Sequence, residues 1–575
     1  MFRHGLGDSG QGVMQKDNGQ SSETLFNRKT SSCIGKEDIV FKIFMIVMAV
    51  YYGLRMFMIT PWYDELYTYY WFISRGPAYA AIHWPLPNNH VGYSVLSSIL
   101  MITHNGYIAL RGVSFAAALL NLYFLHKILK DAFDSKVSFI GTLFYAGLGS
   151  IMSLAVQGRG YTLSITCMLL MILGLQKIMS GDGTRKDYVF TGVGAVLGLY
   201  TVPSSLYYVI VIFIGAGFIL LLENKRKELG KTVICAVISA MVTFALYSII
   251  WLAVGSNLLV KDQSGSYFGM SHVNVIIKVF PAAWKSGLDY MLASPYIQSI
   301  PRAGFTGKLI SWFTTEMTEM SGMNGTFTAV ILLICIIVAN ISIFYKRPVN
   351  RRKNTSVETD ITKECGSTDR RLIILADIGM IGSIIMMIVQ AKLPYYRVFA
   401  FWGVYIAIFI SGAIFYIYKR CGKAIYLLFA IAAVAMIRNM PFHSYQYGER
   451  EDQIADALRK TYIAGNTDNT DNTDNTDNTG TETGNTGTKD NGDRHRNAAV
   501  TDCEQQYLMK FMYRDVCENT NVTGCGYVIF DKELADGSDS KWEYMTDHDS
   551  IDWDYVKESM KEIYENKDFI VYSLQ

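Results

Sequence analysis

The sequence predicts an all-α polytopic membrane protein of about eleven transmembrane helices, followed by a small α/β domain. Half of the 575 residues are apolar and only 18% are charged. The apolar residues form runs of about 18 or more and do not recur with the 3.6-residue period of a surface helix. The net charge is +2 and the basic residues are spread over short loops, which argues against a nucleic-acid partner.

Two apolar blocks are too long for one crossing, because about 20 residues span the hydrocarbon of a bilayer. The first is interrupted by QGRG and the second by PSS, so each block is predicted to form a hairpin with its turn at one membrane face. The predicted spans lie near residues 39–60, 107–129, 137–155, 161–178, 188–202, 204–222, 231–253, 326–345, 371–391, 398–418 and 424–440.

The basic residues predict a cytoplasmic N-terminus in the plasma membrane, because cytoplasmic loops are enriched in Lys and Arg. With this orientation every inner loop is basic. The outer segments are then a first loop at 61–106, a long loop at 254–325, three short connections and everything after residue 440. The runs VNVIIKVF and LDYMLASPYI in the long loop are either surface-lying helices or a further pair of spans.

Composition divides the chain into five segments. Residues 1–38 are predicted to be a disordered cytoplasmic tail, because they lack the features of a cleaved secretory signal. Residues 39–440 form the membrane domain, and 441–465 a helical extension. The linker at 466–497 contains NTDNTDNTDNTDNT and has too few apolar residues to become ordered. Residues 498–575 are predicted to form a small α/β domain on the outer face.

Within this last segment, GYVIF and DFIVYSL are predicted strands, and 504–514 and 553–565 are predicted helices. Three cysteines allow one disulfide and leave one thiol over. The pair Cys517 and Cys525 is favoured over pairs with Cys503, because a loop-like ENTNVTG lies between the two.

An acidic pair, Asp64 and Glu65, follows the first predicted span in the stretch TPWYDELYTYYW. A structural explanation is available, since acids in the first turn after Pro61 suit the helix macrodipole and the aromatic residues suit an interfacial belt. Adjacent helix residues point about 100° apart. One acid is therefore expected to act while the other orients it or binds a metal.

Three further polar groups fall on the same outer face, although the orientation was set by the inner loops alone: Arg159 in QGRGY, Arg397 in LPYYR and His90 in NNH. A permanent cation on a turn suits a cluster of anionic oxygens, but an interfacial arginine can also simply reach the headgroups. His90 is a candidate metal ligand or phosphate donor, and a lone histidine is more often neither.

These residues lie in motifs that resemble the GT-C superfamily: WYDELYT, PNNHVGYSVLSSIL, ALRGVSFAAALL, QGRGYTLSITCMLL and GLYTVPSSLYY. The sequence resembles family 39 and the protein O-mannosyltransferases, in a bacterial branch that includes Rgt-type glycosyltransferases and the aminoarabinose transferase of lipid A. The resemblance covers roughly residues 39 to 210 and extends to LPYYR. A His-Pro run of many relatives is replaced by HVGY, and the MIR domain of the eukaryotic enzymes is missing.

The resemblance implies an integral membrane glycosyltransferase that moves a hexosyl or pentosyl group from a polyprenyl phosphate to an acceptor hydroxyl, with inversion. Asp64 is implied as the general base with Glu65 beside it, since the acceptor must lose its proton as it attacks. The leaving phosphate needs fixed cations. Candidate donor-phosphate ligands are Arg159, Arg397 and His90, and candidate substrate-binding residues are Tyr63, Asn89, Tyr161 and Tyr396.

Metal use stays open: the reaction is either metal-independent or uses one divalent cation such as Mg²⁺ or Mn²⁺, with Glu65 and His90 as candidate ligands. The expected partners are a polyprenyl-phosphate-linked sugar, membrane lipids, and a glycan, lipid or protein acceptor.

Two other classes compete. A transporter or flippase of lipid-linked sugars would place ionisable groups or broken helices near the midplane. Asp377 is the main acid inside a predicted span, and it lies close to the inner end. A membrane-anchored interaction protein would need far fewer spans.

Overall fold

The computed structural model describes residues 36–84, 89–262, 270–292, 300–344, 356–440, 449–467, 498–500, 507–508, 510–512, 522, 525–532 and 552–574. The predicted tail, apart from its last three residues, and nearly all of the predicted linker lie outside these ranges.

The membrane domain is a series of helices joined by short connections. They are α1 (Lys36–Met58), α2 (Tyr63–Trp71), α3 (Pro77–Ile82), α4 (Val91–Ile99), α5 (Gly106–Ala132), α6 (Ser135–Ala146), α7 (Gly149–Leu154), α8 (Tyr161–Ser180), α9 (Arg185–Thr201), α10 (Leu206–Leu222), α11 (Arg226–Asp262), α12 (Phe280–Leu292), α13 (Phe305–Ser321), α14 (Gly325–Phe344), α15 (Ser356–Gln390), α16 (Trp402–Arg420) and α17 (Ala424–Arg438). Single turns occupy Ile73–Arg75, Leu100–Thr103, Pro203–Ser205, His272–Asn274 and Tyr396–Phe399, and Val275–Val279 is π-helical.

Every predicted apolar run contains helix, and eight helices in the described ranges are long and apolar enough to cross a membrane. Two others, α9 and α17, have 17 and 15 residues. The prediction of an all-α polytopic membrane protein is therefore confirmed. The spans pack around one core, in which Trp402 is fully buried and donates its indole N–H to Ser383 at 2.9 Å. Such internal pairing is needed where water is absent.

The prediction of one continuous helix over 137–155 is wrong. The helix breaks between α6 and α7, where α17 and α13 approach the backbone closely. A Cβ atom on Gly147 would lie 2.8 Å from the Cα of Met436, and one on Gly149 would lie 2.9 Å from the carbonyl oxygen of Glu319. Tertiary packing thus overrides the continuous apolar pattern at this point.

The long predicted loop contains α12 and α13, and neither is among the helices long and apolar enough to span a bilayer. Neither of these helices therefore adds a candidate span within the described residues, and the surface-lying interpretation stays a prediction. The helix α11 also continues to Asp262, beyond the predicted end near 253. The indole of Trp312 in α13 donates to the carbonyl oxygen of Pro394 at 2.7 Å, which ties this segment to the LPYYR motif.

The C-terminal part contains α18 (Glu449–Thr467), α19 (Trp553–Ser559) and the strands β1 (Ala498–Val500), β2 (Tyr527–Asp531), β3 (Met560–Glu565) and β4 (Phe569–Leu574). The sheet order is β1-β2-β4-β3, with β1 parallel to β2 and the other pairs antiparallel. The predicted small α/β unit is therefore present.

The prediction of a helix over 553–565 is wrong in its second half. Residues 560–565 form β3, which is joined to β4 by a short turn and pairs Met560 with Leu574. In residues 560–565, pairing with the next strand across a tight connection is more favourable than continuation of the helix. Cys525 is disulfide-bonded, while Cys503 and Cys517 lie outside the described residues, so the pairing of Cys517 with Cys525 stays a prediction.

Candidate active site

The acidic pair lies in the first turn of α2, which begins directly after Trp62. The Glu65 carboxylate accepts a hydrogen bond from the Trp62 backbone N–H at 2.9 Å. This contact satisfies one of the amide groups left open at a helix start, and both acids complement the positive end of the helix dipole. The acids therefore stabilise the first turn of α2.

Glu65 is fully buried and forms a two-pronged ion pair with Arg111 at the start of α5. The Arg111 Nε and Nη2 atoms each lie 2.9 Å from one carboxylate oxygen. The backbone N–H of Gly158 donates to the same carboxylate at 2.5 Å. A Cβ atom on Gly158 would lie 2.9 Å from that carboxylate, so glycine is needed for this approach.

Arg111 also donates to the backbone carbonyl oxygens of Met56, Ile59 and Thr60 at 3.0, 2.6 and 3.3 Å. The Glu65–Arg111 pair thus joins the end of α1, the start of α2, the start of α5 and the QGRGY turn. Sequence reasoning did not single out Arg111. The available signal was a charged residue in the second turn of an apolar span, where ionisable groups are expensive unless paired.

Asp64 points away from this buried pair. Its carboxylate accepts a hydrogen bond from Arg397 Nη2 at 2.9 Å, and the side chains are 18% and 26% exposed. The Arg397 guanidinium lies 4.7 Å from the centre of the Trp62 ring and donates through Nε to the Tyr161 hydroxyl at 3.1 Å. Two motifs separated by more than 300 residues therefore meet at a partly open surface.

The QGRGY turn lies against α2 and His90. Arg159 Nη1 donates to the Thr68 hydroxyl at 2.7 Å and to the Asp64 carbonyl oxygen at 3.3 Å. The backbone N–H of Gly160 donates to His90 Nδ1 at 2.8 Å. Arg159 is only 3% exposed, so this cation lies inside the protein beside Asp64, whereas the Arg397 side chain is 26% exposed.

The structure brings together Asp64, Glu65, His90, Arg159, Tyr161 and Arg397, and places the remaining predicted residues differently. The Asn89 side chain donates to the carbonyl oxygens of Ala80 and His83 and accepts from Ser94, so it holds the first outer loop, and a role in substrate binding stays a prediction. The Tyr396 ring packs on Trp312, with centroids 5.9 Å apart.

The candidate metal ligands do not fit a metal ion. Both oxygens of Glu65 accept hydrogen bonds from protein groups, and His90 Nδ1 accepts the Gly160 amide. In the part of the chain that the structure describes, there is also no group of three or more His, Cys, Asp or Glu residues placed to hold an ion.

The C-terminal part packs directly on α2. Tyr507 stacks on Tyr70, with ring centroids 5.5 Å apart and a 17° angle between the rings. The Trp71 indole N–H donates to the Tyr507 hydroxyl at 2.9 Å. Tyr63 also lies against Tyr507, with centroids 5.9 Å apart. Leu66 belongs to a buried apolar cluster with residues of α18 and the C-terminal sheet. The helix that presents Asp64 is thus held between the membrane domain and the C-terminal part.

Residues 91–251 match the family of dolichyl-phosphate-mannose-protein mannosyltransferases. This match confirms the resemblance to the GT-C superfamily. The matched segment of this GT-C-like chain contains Arg111, Arg159 and Tyr161, and it leaves out Asp64 and Arg397. Together with the eight candidate spans, the match supports a multi-pass membrane glycosyltransferase as the function class.

Solved structures with a distant likeness to the GT-C-like chain include oligosaccharyltransferases from Archaeoglobus fulgidus. One, in complex with Zn and sulfate, is 12% identical over 92% of this chain and 73% of its own, with a TM-score of 0.41. Another is the archaeal oligosaccharyltransferase AglB in complex with an inhibitory peptide and a dolichol-phosphate. It is 12% identical over 86% of this chain and 70% of its own, with a TM-score of 0.41. No protein with a curated description matches the chain. The structural likeness is too distant to bear on the reaction.

His90 gives the site a testable pH dependence. Burial, followed by the charges of Arg159 and Arg397, lowers the pKa of His90 well below its usual range. The unfolded chain therefore binds a proton near pH 6.5 that the folded chain does not bind, so the free energy of unfolding falls as the pH falls below about 6.5. We expect the melting temperature of His90→Asn in detergent to depend less on pH between about pH 5 and 6.5.

The exposed His104, which has a positive φ of 53° that Asn tolerates, supplies the matched control. His104→Asn is expected to keep the wild-type pH dependence. An unchanged slope in His90→Asn would show that the buried imidazole is not the group that takes up the proton on unfolding.

Tyr507 tests how the C-terminal part acts on α2. Tyr507→Ala removes the stack on Tyr70 and the bond from Trp71, so amide hydrogen exchange in residues 63–71 should become faster and sugar transfer slower. Tyr507→Phe keeps the ring stack and loses the hydrogen bond, so its exchange and transfer rates should lie between those of wild type and Tyr507→Ala. Tyr555→Ala, at a position that packs within the C-terminal part, is the control. Unchanged exchange in α2 of Tyr507→Ala would show that this contact does not hold the helix.

Proposed function

We propose that the chain is a membrane glycosyltransferase that moves a sugar from a polyprenyl-phosphate donor to an acceptor hydroxyl at the outer face of the plasma membrane. The observation that carries the proposal is the partly exposed Asp64–Arg397 pair, which places a carboxylate beside a fixed cation at one end of the membrane domain. The family match supports a lipid-phosphate-linked donor, because the proteins it describes use dolichyl-phosphate-mannose.

Asp64 is the general base in this proposal. The acceptor hydroxyl gives its proton to the Asp64 carboxylate as its oxygen bonds to the anomeric carbon of the donor sugar. The bond from that carbon to the phosphate oxygen breaks in the same step, so the configuration at the carbon inverts. Arg397 and the helix start hold Asp64 in one orientation, which reduces the cost of positioning the acceptor.

Arg397 is the cation for the leaving phosphate. A guanidinium has five N–H donors, and the described contacts of Arg397 with Asp64 and Tyr161 use one at Nη2 and the one at Nε. Donors therefore remain for phosphate oxygens. Arg159 is buried and bonded to α2, so in this proposal it holds Asp64 in place and adds positive charge from behind. Glu65 acts through its pair with Arg111 and does not touch the substrate.

Arg397 is expected to be more sensitive to substitution than a surface cation. Arg397→Lys keeps the charge and loses the forked geometry, so the rate of sugar transfer should fall by about 10- to 100-fold. Arg397→Gln loses both the charge and the geometry, so the rate should fall by about 100- to 1,000-fold. Transfer from a polyprenyl-phosphate sugar at saturating donor measures this. Arg75→Gln, at an exposed arginine of the first outer loop, is the control. Equal rates in Arg397→Gln and wild type would remove Arg397 from the donor site.

The orientation is part of the same proposal. Ion pairs lie at the end of the bundle opposite Asp64, for example Arg371 with Glu223 at 2.6 Å and Lys130 with Asp38. The enrichment of basic residues at that end supports a cytoplasmic assignment, which puts Asp64 and the C-terminal part outside.

A transporter of lipid-linked sugars is the second candidate, and one observation favours it. Asp377 in α15 accepts a hydrogen bond from Asn340 in α14 at 3.2 Å, so an acid lies between two candidate spans. The contact uses one neighbour and no second charge, whereas the outer site combines an acid, two arginines and a histidine. We therefore place the transferase first.

The experiment that tests the proposal is release of free polyprenyl phosphate from a panel of polyprenyl-phosphate sugars by the purified chain in detergent. The transferase predicts release from one member of the panel that depends on an acceptor hydroxyl. Specific binding of a lipid-linked sugar with no release from any donor would favour the transporter.

A further inference from the structure

A groove of about 580 Å³ runs between α9 and α11, away from the candidate active site. Its walls are two apolar stripes, each with residues four positions apart along its helix. These residues are Val189, Val193 and Leu197 on α9, and Ile234, Ile238 and Val242 on α11. All six side chains are 42–60% exposed.

The floor of the groove is a direct contact between the two helices. Cys235 Sγ lies 3.4 Å from the carbonyl oxygen of Tyr188, and a Cβ atom on Gly192 would lie 3.3 Å from Ser239 Oγ. The helices run in the same direction from adjacent starting points, so the two stripes stay side by side over about three turns. The groove is therefore formed by packed backbone and is not a gap between loops.

One end of the groove carries positive charge. Arg185 and Lys231 both line it, and both are exposed. The Lys231 ammonium lies 5.8 Å from the centre of the Tyr188 ring, which keeps it at the mouth. Two acids are nearby: Asp187 is bonded to the Thr184 N–H and hydroxyl, and Glu228 lies one turn before Lys231. With Lys186, Arg226 and Lys227 at the same helix ends, the basic side chains outnumber the acids.

The length of the groove indicates the kind of chain that it accepts. From residue 185 to residue 197 the helix rises about 18 Å. One leaflet contributes about 15 Å of hydrocarbon to a bilayer. The groove is thus about as long as one leaflet is thick, which suits the acyl chain of a bilayer lipid. A long isoprenoid would extend beyond it.

We propose that this α9–α11 groove binds an anionic glycerophospholipid, whose phosphate lies between Arg185 and Lys231 and whose acyl chain occupies the apolar stripes. Thr201, at the other end of α9, lies against Gly160 of the candidate active site. The charged mouth is therefore about 24 Å from that end along the helix axis. The lipid site is separate from the transferase proposal and stands or falls by its own test.

The test is native mass spectrometry of the full chain in detergent, titrated with phosphatidylglycerol or with phosphatidylcholine of the same acyl composition. We expect phosphatidylglycerol to bind more tightly. The double variant Arg185→Gln with Lys231→Gln should bind it roughly 30-fold more weakly, given the attraction that each basic side chain provides at a lipid surface. Raising the salt concentration should reduce the same preference.

Two further variants separate the contributions. Arg420→Gln with Lys423→Gln removes two exposed cations between α16 and α17 and should leave phosphatidylglycerol binding unchanged. Val193→Trp fills the groove, keeps both cations and should weaken binding of both lipids. Equal binding of the two lipids, an equal loss in the control pair, or no effect of Val193→Trp would overturn the proposal. Preferential retention of polyprenyl phosphate through Arg185 and Lys231 would overturn the choice of lipid.

Discussion

Replacement of Asp64 by asparagine is expected to lower sugar transfer by about 100- to 10,000-fold, the usual range for loss of a general base. The amide has the size of the carboxylate, and its oxygen can still accept the bond from Arg397 Nη2. It cannot take up the acceptor proton at neutral pH. The chain should therefore fold and bind its donor normally while turnover disappears. Turnover is measured as release of polyprenyl phosphate, and donor affinity is measured on the same preparation.

The matched control for Asp64→Asn is Glu228→Gln, which removes another acid from the first turn of a helix, at the opposite end of the bundle. It lies in the first turn of its helix, as Asp64 does, and is remote from Arg159 and Arg397. Wild-type turnover in Asp64→Asn would reject the base assignment and leave the acid as a helix-start residue only.

Breaking the Glu65–Arg111 pair is expected to have the largest effect on stability. Glu65→Ala leaves a fully buried guanidinium without its carboxylate, and loss of one partner of a buried pair costs about 3–5 kcal/mol. Three segments depend on this pair, namely the end of α1, the start of α2 and the QGRGY turn. We expect Glu65→Ala and Arg111→Ala each to give a large drop in melting temperature and in monodisperse yield from detergent.

The double variant Glu65→Leu with Arg111→Met should recover part of that loss, because no uncompensated charge remains. The exposed pair of Lys130 and Asp38 supplies the control, since its side chains are 39% and 41% exposed. Asp38→Asn should cost no more than about 1 kcal/mol. A normally stable Glu65→Ala that loses only turnover would instead place Glu65 among the groups that contact substrate.

Much of the membrane domain was predictable from the sequence, because runs of about 20 apolar residues leave few alternatives to a span. The break between α6 and α7 was not, since it depends on α13 and α17 approaching Gly147 and Gly149 from distant parts of the chain. The strand β3 was missed for a different reason. It pairs with β4 across a short turn, and the pattern within 553–565 alone does not contain that partner strand.

The candidate site shows the same division. Asp64, His90, Arg159 and Arg397 were marked by unusual chemistry at one membrane face, and the structure brings them together. The different roles of two adjacent acids were not separable in the sequence. Only the folded chain shows that Glu65 faces Arg111 and the interior while Asp64 faces the surface. The position of Tyr507 on α2 likewise depends on a contact more than 430 residues away in the sequence.

The most direct test of the central claim follows a labelled sugar in proteoliposomes that contain the full chain and a polyprenyl-phosphate donor. A transferase moves the label from the lipid to an acceptor hydroxyl on the Asp64 side, leaves free polyprenyl phosphate in the membrane, and does neither in Asp64→Asn. We expect this result. Label that crosses between the leaflets while still attached to the polyprenyl phosphate, at the same rate in wild type and Asp64→Asn, would contradict it.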